Sequence, residues 1–110
     1  MAALEVQTIN CVNDGAFVMS FGLEVFNQDI LGWTTINDLD QGPYPIDQNQ
    51  SINLSTTTIS EGTAVRPQIR VRWGDTVSAP TYIRYAKNGQ TATWVVTGTT
   101  LNVHISQTGV

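Results

Sequence analysis

The chain contains one cysteine, Cys11, and one histidine, His104. They are the only pair from which a thiolate nucleophile and an imidazole base could be built, and such a dyad also needs a third group to orient the ring. No nucleophile motif surrounds Cys11, which reads as a small buried hydrophobe, while His104, between Val103 and Ile105, reads as an outward polar residue. One Cys and one His cannot fill a tetrahedral zinc shell without carboxylates. No catalytic residue and no cofactor is therefore expected. A lone cysteine forbids an internal disulfide but permits a bond between copies, which makes Cys11 a candidate interface residue.

A second group is the oxygen-rich run Asn37 to Gln50, "NDLDQGPYPIDQNQ". Asp38, Asp40 and Gly42 resemble the first half of a calcium loop, and Asp47 or Asp29 would complete an oxygen shell of the kind a hard cation requires. The distal bidentate Glu of an EF-hand is missing, so an acidic surface loop is the main expectation and calcium at Asp38 and Asp40 the minor one. Aromatic residues form a third group: Trp33, Trp73, Trp94, Tyr44, Tyr82 and Tyr85. Sugar-binding surfaces set such rings beside Asn, Asp and Gln. Trp73 and Trp94 share the parity of Val71 and Val96 and are expected in the core. Tyr44, between two prolines of the loop, is the ring expected at a binding surface, with Asp38, Asp40 and Asp47 around it.

Charge is unevenly distributed. Residues 1–65 carry eight carboxylates and no Lys or Arg; residues 66–110 carry Arg66, Arg70, Arg72, Arg84 and Lys87 against Asp75 alone, so the halves are −8 and +4 and the chain −4. An acidic chain with five cations offers few phosphate contacts, which argues against nucleic acid as a partner. Two arrangements remain. Acidic and basic strands neighbour each other in one sheet, or the Arg66, Arg70, Arg72 face meets an acidic face of another copy or an anionic membrane. The start has no basic region or apolar run of signal-peptide length, and no segment is apolar for about 18 residues. The expectation is a cytoplasmic chain without a transmembrane segment.

The elements that must position these residues are strands. Hydrophobic residues make up 41% and charged residues only 13% of the chain, with Thr the leading polar residue, which suits pleated surfaces. Phe17, Met19, Phe21, Leu23 and Val25 alternate with Ala16, Val18, Ser20, Gly22 and Glu24, predicting a central strand. Val65, Pro67, Ile69 and Val71 alternate with Arg66, Gln68, Arg70 and Arg72, predicting a half-buried strand with a cationic outer face and an edge or bulge at Pro67. Leu4–Val12, Leu31–Ile36 and Gln50–Thr58 are further candidates. Asn88-Gly89 predicts a hairpin joining 81–86 to 91–97, and Gly98-Thr99 turns the chain into Leu101, Val103 and Ile105. One parity of 91–97 carries Thr91, Thr93 and Thr97 beside Val95, an outer face with no charge to repel a second copy.

The run Thr93–Thr100, "TWVVTGTT", resembles the T-W-x-V-S/T-G segment of aegerolysins, small acidic β-sandwich proteins that recognise membrane lipids. That resemblance implies a sandwich and a lipid partner. The sequence thus predicts one domain, residues 1–110, folded as an all-β antiparallel sandwich of about seven or eight strands. The expected role is non-enzymatic self-association into a homo-oligomer or structural assembly through Cys11, the threonine face and the arginine face. Binding of a lipid head group or a carbohydrate at the Tyr44 loop is the alternative.

Overall fold

A computed structural model describes residues 3–108, apart from the side chains of Asn37 and Asp38. The strands are β1 (Glu5–Val6), β2 (Thr8–Asn13), β3 (Met19–Asn27), β4 (Gly32–Tyr44), β5 (Gln48–Asn53), β6 (Ala64–Val71), β7 (Thr76–Ser78), β8 (Ile83–Tyr85), β9 (Thr91–Thr99) and β10 (Asn102–Thr108). They form two sheets. The first runs β1-β8-β6-β3-β4 with β7 also on β6, and the second runs β10-β9-β2-β5. The fold is an all-β sandwich, and no helix of the described residues is long and apolar enough to cross a membrane.

Alternation explains the core. Met19, Phe21 and Leu23 of β3, Val65, Ile69 and Val71 of β6, and Ala92, Trp94 and Val96 of β9 all point inward and are buried. Pro67 lies where β6 passes from β8 to β7, so its missing N–H falls in the gap and its carbonyl accepts from Ala79 N at 2.9 Å.

Several expectations need correction. The described residues form ten strands, and two pairs are parallel, β1 with β8 and β2 with β9. Both follow from one crossing: at Gln7 and at Gln90 the chain passes from the first sheet to the second, side by side. Gln7 N and Thr8 N donate to Gln90 O at 2.9 and 3.1 Å, and Gly89 N donates to the Gln7 side chain at 3.0 Å. Asn88-Gly89 therefore makes a sheet-to-sheet corner instead of a hairpin, although Gly89 has the positive φ of 73° that the pair requires. The Gly98–Leu101 turn does close a hairpin, β9–β10.

The run 37–50 is not a loop. Its first half extends β4 along β3 with two register shifts, which absorb the turn-forming residues as bulges. Its second half turns at 45–47 into β5, which ends at Asn53 before a short 3-10 turn, Leu54–Thr56. Trp73 is not core: β6 stops at Val71, and Trp73 turns outward with φ 59° and 87% exposure.

One polar group lies at the centre of the connections. Asn13 is completely buried. Its Nδ2 donates to Phe17 O at 2.8 Å and Tyr44 O at 3.1 Å, its Oδ1 accepts from Gly15 N at 3.0 Å, and its own carbonyl accepts from Asp47 N at 2.8 Å. Beside it the Tyr44 hydroxyl donates to Cys11 O at 2.8 Å, tying β4 of one sheet to β2 of the other. Asn13→Ala leaves three buried main-chain groups without partners, each worth about 1–3 kcal/mol. The expected loss of stability is about 3 kcal/mol by urea unfolding at unchanged m-value. The exposed Asn49→Ala is expected to stay within about 0.5 kcal/mol of the parent.

Candidate functional site

Two surface regions combine exposed apolar groups with cations, one at each end of the first sheet. The first is a tip where three turns converge. The Arg72–Trp73 turn lies against the β9–β10 turn: Gly74 leaves no room for a Cβ beside Thr100 O, and Asp75 N donates to that oxygen at 3.3 Å. Ala16 N donates to Gly98 O at 3.0 Å, bringing the 14–18 segment alongside, and Pro45–Ile46 completes the rim. A shallow depression of about 410 Å³ lies between Phe17, Ile46, Arg72, Trp73 and Thr100. Around it Trp73, Leu101 and Ile46 are 87%, 79% and 47% exposed. The Arg72 guanidinium stacks 4.6 Å from the Trp73 ring centroid.

Trp73 is unusual on two counts. A large ring left in water forgoes the stabilisation of burial. A non-glycine residue in the left-handed region costs about 1–3 kcal/mol, a strain that clusters at functional positions. Leu31, in the β3–β4 turn, shares both features with φ 50° and 79% exposure; what sets Trp73 apart is its ring and the Arg72 guanidinium stacked on it.

The second region is a cleft of about 610 Å³ at the other end, between Phe26, Gln28, Trp33, Glu61, Tyr82 and Arg84. Its frame is built across strands. Phe26 stands directly opposite Trp33, and their rings meet edge to face at 5.6 Å. Trp33 meets Tyr82 at 5.8 Å. Glu24 stands opposite Arg66, whose Nε donates to its carboxylate at 2.9 Å, and the same guanidinium lies 4.2 Å over the Trp33 ring. This near-buried pair holds Trp33 in place. Next to the cleft, the β3–β4 turn exposes Ile30 and Leu31.

The residues singled out from the sequence are placed elsewhere. Tyr44 is 2% exposed, and burial pushes its hydroxyl pKa well up, with the neighbouring Cys11 thiol adding to the effect. It is a core residue, because its bond to Cys11 O draws it inward. Asp40 pairs with Arg70 across the sheet, Asp47 is exposed in the 45–47 turn, and the Asp38 side chain lies outside the described residues. Among the described residues no three Asp, Glu, His or Cys side chains cluster.

Of the arginine face, Arg66 and Arg70 are matched to Glu24 and Asp40 within one sheet, while Arg72 joins the tip. Thr91, Thr93 and Thr97 lie on the outer face of the second sheet, where Asn10 Nδ2 reaches Thr93 at 3.5 Å and Ser51 donates to Asn10 at 2.8 Å. Cys11 is completely buried in β2 and faces the core, whereas His104 lies exposed in β10. Cys11 therefore offers a second copy no accessible sulfur. The tip and the cleft frame were missed as sites. Phe26 continues the outward parity of Glu24, and Gly74-Asp75 directly follows Trp73; both signals were present.

No protein-family model and no curated protein sequence matches the chain. Solved structures do. A structure of pneumolysin aligns with TM-score 0.50 at 14% identity. Wild-type pneumolysin and a non-hemolytic pneumolysin from Streptococcus pneumoniae strain ST306 each align with TM-score 0.51 at 13% identity. Each alignment covers 94% of this chain and 23% of the other, so the chain spans about a quarter of the length of these proteins. At such identities the likeness is one of fold, and it agrees with the all-β sandwich.

Burial raises the Cys11 thiol pKa well above its ordinary value. A water-soluble thiol reagent is expected to label Cys11 only when the protein unfolds, and native mass should be equal under reducing and oxidising conditions. Fast labelling in the folded state, or a disulfide-linked dimer, contradicts this placement.

Proposed function

We propose that this chain is a non-enzymatic β module that docks on a lipid membrane surface through its three-turn tip. The observation that carries the reading is Trp73: exposed, backbone-strained, flanked by Arg72, and joined by Leu101 and Ile46 from two other turns. Tryptophan favours the membrane–water boundary, with its ring among acyl chains and its N–H at the head groups. An adjacent arginine adds attraction to anionic lipid. The Ile30–Leu31 pair at the opposite end comes from one turn, and the tryptophan near it, Trp33, is half-buried under an arginine already neutralised by Glu24. The non-enzymatic part is supported by the separation of the buried Cys11 from His104. The resemblance of Thr93–Thr100 to aegerolysins, a run that ends at the tip, points to the same kind of surface.

Magnitudes indicate how such docking works. Burying one large apolar side chain is worth about 1.5–3 kcal/mol, so three give roughly 4–9 kcal/mol before the cost of association. A single myristoyl chain, with a binding constant of about 10⁴ M⁻¹, lies in the same range and binds reversibly. One copy therefore binds weakly, and several copies acting together bind tightly. Self-association is the second part of the reading. It is favoured by the second sheet, in which β2, β5, β9 and β10 contain no Asp, Glu, Lys or Arg. The edge strand β10 also lacks proline and register breaks, the usual guards against strand pairing between copies. Charge-driven assembly is not favoured, because the two ion pairs close within one chain.

Vesicle co-sedimentation with phosphatidylcholine and phosphatidylserine tests the docking. Trp73→Ala and Leu101→Ala are each expected to weaken binding about tenfold, and Leu31→Ala to leave it unchanged. Equal effects at the two ends, or no binding by the parent chain, remove the reading. Association through the uncharged sheet is expected to persist from low to high salt in sedimentation velocity, since screening acts on charges. Dissociation by salt contradicts it.

A further inference from the structure

We infer that the cleft at the far end of the first sheet is a second binding site, for a neutral glycan. It is separate from the tip: Met19 and Phe26 mark the two ends of β3, seven residues apart, which is roughly 23 Å of extended strand. The proposal stands on the chemistry of the lining and does not depend on membrane docking.

Elimination by ligand class carries the argument. A quaternary ammonium group would seek Trp33 and Tyr82, but it would meet like charge beside both rings, which a neutral ligand would not. Arg66 lies 4.2 Å from the Trp33 centroid and Arg84 lies 5.9 Å from that of Tyr82. A phosphate or sulfate would need net positive charge. Arg66 is neutralised by Glu24, and the lining itself holds one cation, Arg84, and one anion, Glu61. An acyl chain would want a uniformly apolar wall, yet Gln28, Glu61 and Arg84 interrupt the rings.

What remains is a neutral molecule with an apolar face and many hydroxyls. Pyranose rings have that form: their C–H faces pack on aromatic rings, and their hydroxyls both donate and accept. The cleft supplies both kinds of partner in fixed positions. Arg84 is steadied by its bond to Gly62 O at 3.1 Å, which uses one of its five N–H groups. Glu61 is steadied by accepting from Lys87 N at 3.2 Å and keeps its second oxygen free. Gln28 offers an amide with donor and acceptor ends. Tyr82, 40% exposed, provides an accessible ring, and Trp33 is held by the Glu24–Arg66 pair. The volume lies within the usual range for small-molecule sites.

An array of immobilised neutral and acidic oligosaccharides, probed with the full fluorescently labelled chain, is the test. The parent chain is expected to bind a subset of the neutral glycans. Tyr82→Ala and Arg84→Ala, both at exposed positions and checked for an unchanged urea midpoint, are expected to bind that subset at least tenfold more weakly. Trp73→Ala should bind it normally, while binding vesicles about tenfold more weakly. Absence of neutral-glycan binding, retention confined to acidic glycans, or unchanged binding by both cleft variants overturns the proposal. None of these outcomes bears on the tip, whose failure would appear as loss of vesicle binding alone.

Discussion

The carboxamide of Asn13 is the interaction on which one whole end of the molecule depends. It sits without any contact with water at the last position of β2, and it closes two segments that would otherwise end in unpaired main-chain groups. Through Phe17 O and Gly15 N it folds the 14–18 segment back on itself. Through Tyr44 O it anchors the end of β4, and the main-chain carbonyl of Asn13 receives Asp47 N from the turn into β5. Those segments are the floor and one rim of the tip. A buried polar network of this kind is favourable only when every member is satisfied. Among the described residues no buried side-chain polar atom is left without a partner. Asn13 thereby gives the exposed Trp73, Leu101 and Ile46 a rigid base, which loops held only by apolar contact would lack.

The two sheets divide the remaining work by charge. The first contains the ionised side chains of the strands and uses them locally: Glu24 meets Arg66 on the neighbouring strand, and Asp40 on β4 meets Arg70 on β6 across the intervening β3. Arg66 does more than balance a charge, since its guanidinium holds Trp33 at the wall of the cleft. The strands of the second sheet contain no Asp, Glu, Lys or Arg, and its outer face is bonded through Asn10, Thr93 and Ser51. Surface ion pairs contribute little to stability on average. Their significance here is positional, in fixing where aromatic rings stand.

Much of this was legible from residues alone. The two-residue alternation of 19–25 and 65–71 reports burial directly, and Trp94 falls inside on the same argument. Sheet membership was not legible. Asn88-Gly89 specifies a local change of direction, but whether the next strand pairs with the last or crosses to the other sheet is decided by Gln7 and Gln90, which are 83 positions apart. Trp73 failed for a related reason: parity holds only while a strand lasts, and β6 ends two residues earlier. The 37–50 run failed because Asp and Gly are tolerated in a bulged edge strand, where register shifts use the conformations that composition assigns to loops. Tyr44 was misplaced with it. The cleft was invisible as a unit, since its rings come from β3, β4 and the segment leading into β8, and only the pairing of the strands brings them together.

The central claim is that the tip, and no other face, meets the lipid. Amide NMR of the protein bound to nanodiscs carrying spin-labelled lipid measures this residue by residue. The account predicts that paramagnetic broadening is confined to residues 45–47, 72–74 and 100–101, and fades along the strands away from them. Broadening centred on 28–31, or spread over the outer face of the second sheet, contradicts it.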